Sequence, residues 1–360
     1  MSKTSTRRLQ KTRGAVSNPG SRLERFHHET IDDGWHDSEE TIPPLQRTVR
    51  ADHAKTLINY NQSPDIPFDR SINPYRGCEH GCIYCYARPT HSYLDLSPGL
   101  DFETKLFYKT DAITLLESEL SRPSYQCRPI ALGVNTDAYQ PIEREQCLTR
   151  QLLQTLLHYR HPVTLVTKSD LILRDLDILE ELAANRLVSV AVSVTSMQQK
   201  IKSTLEPRAT SPAKRLHAIR SLAAAGIATG VMVAPVIPAI TDHEMETIME
   251  QAYDAGAAFA GYTLLRLPHE LKTVFQEWLQ THYPDRAEHV MSLLRQSYGD
   301  KIYNSEWGLR GRGRGAYADI LAQRFDKACT RIGYTNRYAT ELNTDIFRVP
   351  GVQEQLCLGF

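Results

Sequence analysis

The feature that most constrains this chain is an alternation of short apolar runs with longer stretches of helical period. Five runs are clear: IALGV (130–134), VTLVT (163–167), LVSVAVSV (187–194), ATGVMVAPV (228–236) and AFAGYTLL (258–265). A weaker sixth lies near Arg70–Tyr75. Their length and spacing predict strands. Between them, residues 143–159 carry Leu148, Leu152, Leu153 and Leu156 with the spacing of one helix face. Residues 212–225 open on Ser211–Pro212, an N-cap followed by a first-turn proline, and end at Gly226. Thr241 and Glu244 have capping-box spacing at the head of a helix over 242–255.

Strand and helix repeating at intervals of roughly 25–40 residues predict parallel strands joined by helical crossovers. Six units place the chain in the α/β class and favour a partial TIM barrel, (β/α)6, over the full eight; an open doubly wound sheet is the competing arrangement. Either fold puts its chemistry at the C-terminal ends of the strands. We divide the chain into a polar N-terminal lead-in (1–55), the barrel (56–268) and a C-terminal extension with a Gly/Arg-rich segment (269–360).

The lead-in is basic over 1–26, with Lys3, Arg7, Arg8, Lys11, Arg13, Arg22 and Arg25 against Glu24, and acidic over 29–40. Lacking an apolar period, it is expected to be flexible or extended. The formal net charge of +0 gives no global argument for a polyanion partner, although a local basic groove can hide in a neutral total. No run of 18 apolar residues marks a membrane span, and the basic N-terminus has no apolar stretch behind it. A cytoplasmic location without membrane contact is the expectation.

The seven cysteines, an odd number, argue against a disulfide scaffold. Cys127, Cys147, Cys329 and Cys357 are scattered and read as small buried hydrophobes. Cys78, Cys82 and Cys85 fall in NPYRGCEHGCIYCYAR (73–88), spaced C-x3-C-x2-C. Gly77 and Gly81 let a tight loop turn three thiolates toward a common point. Soft thiolates select iron–sulfur clusters, zinc or copper(I). Three ligands for four irons leave one iron open to a molecule carrying both an amine and a carboxylate. A zinc site can be drawn with His80, but it lacks the second ligand pair such sites normally use.

This motif, with Tyr84 before its last cysteine, resembles the signature of the radical S-adenosylmethionine (SAM) superfamily. NTDAYQPIE (135–143), TKS (167–169) and LEPRA (205–209) are similar to the branch related to spore photoproduct lyase. The resemblance implies a [4Fe–4S] cluster on Cys78, Cys82 and Cys85 whose open iron binds the amino and carboxylate groups of SAM. It further implies reductive cleavage to a 5′-deoxyadenosyl radical, which takes a hydrogen atom from a substrate. An external electron donor such as flavodoxin or ferredoxin would drive the cleavage.

The same resemblance implies cofactor contacts. Tyr84 would pack on the adenine. Asn135, Thr136 and Asp137 would meet the methionine amine, against the plainer reading of an Asx turn. Lys168, followed by Ser169, suits the carboxylate; a solvated strand-end lysine is the alternative. Ser193 would reach a ribose oxygen. Glu206 and Arg208 would either pair with each other or meet the ribose and carboxylate. Val236, with Pro235 and Pro238, would form a backbone platform near the adenine. Tyr139 is expected in the catalytic centre, lining the substrate cavity, and Glu143 at the start of the following helix. One departure matters: the lyase uses a second-strand cysteine to return hydrogen to its product radical, and Val134 stands at the matching place here. Either another donor serves, such as a tyrosine, or the chemistry differs.

In LRGRGRGAY (309–317), Arg310, Arg312 and Arg314 alternate, so an extended segment would present all three on one side. Guanidinium groups so placed suit phosphates, and Tyr303, Trp307 and Tyr317 could stack on bases. Alternatively, these arginines bind the protein's own carboxylates. A nucleic acid, DNA or RNA, is the leading substrate expectation. The rivals are a protein or small metabolite, a non-catalytic iron–sulfur binding or sensing protein, and a zinc module. The histidines form no H-x3-H pattern and give a hydrolase no support.

Overall fold

All six apolar runs form strands, and the described residues add four short ones around them. The computed structural model describes residues 12–23, 45–334 and 341–351. Lys3, Arg7, Arg8, Lys11, Glu24, Arg25, the acidic stretch 29–40 and Cys357 lie outside the described residues. In chain order the strands are β1 (Thr48–Asp52), β2 (Asn59–Tyr60), β3 (Arg70–Ile72), β4 (Tyr75–Arg76) and β5 (Lys105–Lys109). They continue as β6 (Ile130–Leu132), β7 (Val163–Thr167), β8 (Val188–Ser193), β9 (Ala228–Val236) and β10 (Phe259–Leu264).

The main sheet has the order β10-β9-β8-β7-β6-β3-β2. Every pairing from β3 to β10 is parallel, and only the edge pair β2–β3 is antiparallel. Each strand lies beside its predecessor, so the winding never reverses. A doubly wound sheet has such a reversal, at its switch point; that alternative is therefore set aside. Two-sided burial explains why β8 is buried at every position and reads as an apolar run rather than an alternation.

The crossovers match the helical periods, with two corrections. The helix predicted over 143–159 is broken at Cys147, which takes φ 50, into Glu143–Gln146 and Leu148–His158. The Glu143 carboxylate turns back across the break to accept the Thr149 amide at 3.0 Å and so caps the second helix. The capping box at Thr241 and Glu244 does not form. The Thr241 hydroxyl accepts from the Ile237 amide, and Glu244 accepts from the Met197 amide and the Ser196 hydroxyl, beyond the end of β8. Residues 242–244 form a short 3-10 turn ahead of the helix Met245–Asp254.

A second sheet, β1-β5-β4, escaped the sequence reading. It lies within and just before the long β3–β6 connection that carries the cysteines. After β10, helices Leu271–His282, Pro284–Ser297 and Ala316–Ile332 share the main hydrophobic core through Val274, Phe275, Trp278, Leu294 and Phe325. The Gly/Arg-rich segment is not extended. Gly308, Gly313 and Gly315 take φ values of 82, 72 and 87, and they coil it. The Gly311 carbonyl accepts the Leu264 amide at 2.9 Å, covering part of the free edge of β10. Among the described residues no helix is long and apolar enough to cross a membrane.

Candidate functional site

The cysteine loop leaves the C-terminal end of β3 by way of β4. Gly77 and Gly81 take φ values of 76 and 67, where a side chain is strained. A Cβ on Gly77 would also lie 2.9 Å from Leu106 and 3.0 Å from the Phe102 carbonyl. The backbone is fastened on several sides. The Cys78 amide donates to Phe102, and the Ile83 amide to Leu205, each at 2.9 Å. Gln140 accepts the Glu79 amide and donates to the Gly77 carbonyl. The buried Arg88 guanidinium donates to the carbonyls of Gly81, Cys82, Pro98 and Gly99 and meets Glu103 at 2.5 Å.

Cys78 and Cys82 are buried and Cys85 is half-buried, all as free thiols. Burial, together with neighbouring Asp137, pushes the Cys78 thiol well above its ordinary value. Burial and Glu206 push Cys82 up to about 12, with Lys168 pulling the other way. Both therefore hold their protons until a metal displaces them. Among the described residues no three His, Cys, Asp or Glu side chains close on one point as a single ion requires. A cuboidal cluster asks something different, because each thiolate binds its own iron. Three soft donors on one tightly fastened loop, with no single-ion site found among the described residues, fit a cluster with one open iron.

Around the loop stand the ends of β6 to β10. Asp137 is a hub. Its carboxylate accepts the Thr167 hydroxyl (2.7 Å), the Lys168 amide (2.7 Å) and the Tyr139 amide (2.9 Å), and lies 3.3 Å from His80 Nδ1. Burial works against its charge, but His80 and these donors outweigh burial and hold the carboxyl well below the usual range. Its oxygens are thus committed to protein donors that tie the cysteine loop to β6 and β7. Asn135 is exposed, its amide fixed by Asn73 Oδ1, while the buried Thr136 hydroxyl donates to the Tyr75 carbonyl. Ser169 accepts the Leu171 amide and so caps the next turn.

The Lys168 ammonium lies 5.8 Å over the Tyr84 ring. Burial disfavours its charge, yet Cys82 and Glu206 prevail and raise its pKa. The Tyr84 hydroxyl donates to Glu206, which also accepts Thr195 Oγ1 at 2.8 Å and Arg215. Arg215, 1% exposed, also donates to the Ser193 and Thr210 carbonyls. Glu206 therefore pairs with Arg215, not with Arg208: a buried carboxylate takes the buried cation. Arg208 points away and meets Glu79 at 3.2 Å. Ser193 and Val236 are buried at their strand ends.

Two expectations are corrected. Tyr139 is 0% exposed, packed in the core near Asp175 and Glu143, so it lines no substrate cavity. Arg310 spends its charge on Asp65 at 2.6 Å and also donates to Ser63; only Arg312 and Arg314 are exposed. The reading of the sequence missed Tyr86, which is 39% exposed, and Arg266, whose guanidinium stacks 4.0 Å over its ring. The Tyr86 hydroxyl donates to the Val134 carbonyl. It also missed Arg88, Arg215 and Gln140. Of these only Gln140 carried a signal, in the polarity of the segment DAYQPIE.

The family model described as the radical SAM superfamily matches residues 72–252. An uncharacterised protein of Mycobacterium tuberculosis is 37% identical over 233 residues, 64% of this chain and 68% of that one. One from Methanocaldococcus jannaschii is 26% identical over 253 residues, 70% and 90% of the two chains. A variant of spore photoproduct lyase with bound AdoMet and dinucleoside spore photoproduct has a similar fold, with TM-score 0.56 at 18% identity over 79% of this chain and 78% of that one. Another variant of the same lyase reaches 0.57 at 17% identity, over 81% and 82%. With the cysteine loop lying inside the matched stretch, the chain belongs to the radical SAM superfamily, whose cofactors are a [4Fe–4S] cluster and SAM, and its fold is similar to that of spore photoproduct lyase.

Proposed function

We propose that this enzyme abstracts a hydrogen atom from a nucleic acid bound at the C-terminal mouth of a partial (β/α)6 barrel. The lead-in (1–55) and the extension (269–360) would flank a barrel domain spanning 56–268. The observation that carries the reading is the setting of Cys78, Cys82 and Cys85, at the end of β3 and facing the polar ends of β6 and β7. When bound, the cluster and SAM supply a 5′-deoxyadenosyl radical. The chain's own part is to bind, orient and exclude water.

In this reading the three cysteines hold the cluster. Lys168 offers its ammonium to the SAM carboxylate, and exposed Asn135 is available to the amine. Asp137, its oxygens already engaged, positions Lys168 and the cysteine loop instead of touching the cofactor. Glu206 and Thr195 fix the hydroxyl of Tyr84 and so set the plane of its ring for the adenine. Thr136, Ser169, Ser193 and Val236 shape the strand ends beneath. Nucleic acid is favoured by exposed Arg312, Arg314 and Trp307 beside the end of β10, and by the lyase of similar fold that binds a dinucleoside photoproduct. Flavodoxin or ferredoxin would supply the electron.

The test is anaerobic reconstitution with iron and sulfide, then addition of dithionite and SAM, reading 5′-deoxyadenosine by mass. Product should form in the wild type and vanish in a Cys78→Ala, Cys82→Ala, Cys85→Ala triple variant. A reduced cluster that yields none would overturn the enzyme reading. For the substrate, single-stranded DNA and RNA should bind with a salt-dependent affinity that Arg312→Ser, Arg314→Ser weakens; no change would point to a non-nucleic substrate.

A further inference from the structure

Two aromatic rings flank the last cysteine of the loop, and each carries a cation. Tyr84, before Cys85, lies under the Lys168 ammonium at 5.8 Å. Tyr86, after it, lies under the Arg266 guanidinium at 4.0 Å. The two cations differ in their company. Against burial, Lys168 is held charged by Cys82 and Glu206 beside it. Arg266 is half-buried too, yet it meets no carboxylate among the described residues. Arg70, Arg88, Arg174 and Arg215, buried or half-buried, each pair with one. Nor does Tyr86 supply a charge. Burial holds its hydroxyl above the ordinary value, against the pull of Arg266, so it stays a neutral phenol. A partly buried cation without a counter-charge is costly. The fold holds it in place nonetheless. Leu265 and Leu267 on either side are buried, the Leu265 amide donates to the Val236 carbonyl at 3.0 Å, and the Leu265 carbonyl accepts the Tyr298 hydroxyl at 3.0 Å. The Tyr86 hydroxyl, on the Val134 carbonyl, fixes the ring beneath.

Arg266 lies just past the end of β10, and Val134 just past the end of β6. The stack therefore reaches across the mouth beside Cys85. Stacking occupies the face of the guanidinium and leaves its in-plane N–H donors free, the fork that matches a phosphate. A second cation stands further out on the same edge. Arg312 is exposed and meets no carboxylate among the described residues. Its neighbour Gly311 accepts the Leu264 amide at 2.9 Å, and the Tyr298 hydroxyl that holds Leu265 also lies 3.4 Å from the Arg310 carbonyl. One cation at the rim and one beside the cysteine loop suit successive phosphates of a strand; a lone phosphate has no use for both. We propose that Arg266, stacked on Tyr86, binds a phosphodiester of the substrate strand and so places a nucleotide at the barrel mouth, with Arg312 meeting a phosphate further out. The inference rests on the nucleic-acid reading above and names the group of the substrate that the mouth selects. Lys168, on the Tyr84 side, remains with the cofactor.

The test uses the full, reconstituted chain without oxygen. Binding of fluorescein-labelled oligothymidylate and oligouridylate decamers is read by anisotropy over a salt series. A decamer with an uncharged methylphosphonate backbone is the control. For Arg266→Gln, affinity for the charged strands should fall about tenfold. The slope of log K against log salt should drop by about 0.7, the share of one phosphate contact on a single strand. The methylphosphonate strand should bind variant and wild type alike. Tyr86→Phe keeps the ring and should bind as the wild type does, while Tyr86→Leu removes the platform and should bind several-fold more weakly. SAM affinity by calorimetry should not change in Arg266→Gln. An equal loss on the methylphosphonate strand overturns the subsite. So does a tenfold loss of SAM affinity, which would make Arg266 the partner of the cofactor's carboxylate. Thymidine monophosphate bound as tightly as the decamer, with the same dependence on Arg266, would replace the diester by a terminal phosphate and overturn the proposal. A wild type that binds neither charged strand overturns the nucleic-acid reading and this inference with it; strand binding with affinity and slope unchanged in Arg266→Gln overturns this inference alone.

Discussion

The Glu206–Arg215 pair offers a sharp test of how this site is held. Glu206 is 1% exposed, and its carboxylate is shared by Arg215, Thr195 and Tyr84. Burial alone would raise its pKa, but Arg215 and Lys168 outweigh burial and hold the group at about 2, against an ordinary 4.5. Linkage converts that depression into about 3 kcal/mol of stability at neutral pH, within the range of about 3–5 kcal/mol lost when one partner of a buried pair is removed. The sign follows from the lowered value: the contribution is complete well above 4.5 and is lost as pH falls toward 2. Glu206→Gln keeps the shape and removes the charge. In the cluster-free, thiol-reduced chain, urea unfolding at pH 7 should show Glu206→Gln weaker than wild type by about 3 kcal/mol. The difference should shrink by about 1 kcal/mol at pH 4, because only the wild-type carboxylate takes up protons there. A difference below about 1 kcal/mol, or one that does not vary with pH, would refute the claim that Glu206 is ionised and paired.

Three further outcomes follow from the geometry. Asp137→Ala strips the acceptor from the Thr167 hydroxyl and the Lys168 and Tyr139 amides; it should cost about 3 kcal/mol in urea unfolding and weaken SAM binding by calorimetry at least tenfold. Gly14→Ala drives a methyl into the Gly81 carbonyl, so residues 12–23 should become protease-sensitive, and a chelator should strip iron from the cluster several-fold faster. Tyr139→Phe should cost less than about 1 kcal/mol and leave 5′-deoxyadenosine formation within about twofold; a tenfold loss would restore a catalytic role for this hydroxyl.

The sheet was legible because parallel strands buried on both faces write themselves as unbroken apolar runs, and β7, β8 and β9 start and stop within a residue of the sequence reading. The cysteine triad was legible because soft donors at fixed spacing have few other uses. What stayed hidden depends on contacts distant in sequence. β1, β4 and β5 pair across a long connection and carry no shared periodicity. Arg88 and Arg215 look like any helix arginine until burial shows that each is spent on a carboxylate. Local signals also misled where tertiary partners competed: Glu244 has the spacing of a cap, but the amide of Met197 claims it. The alternating arginines of 309–315 implied an extended strand, while the glycines between them coil.

The seat of residues 13–18 also sets the order in which this protein can be completed. Gly14 meets Glu103 across 89 residues, and Ser17 donates to Glu277 across 260. This segment thus meets Glu277 only after the 260 residues that follow Ser17, as far as Glu277, have been made, and contacts so remote in sequence form late. Until Glu277 is made, the cover that residues 13–18 lay over the back of the cysteine loop lacks that anchor. A chain arrested before Glu277 would hold this segment by its contacts with Glu103 and its neighbours alone.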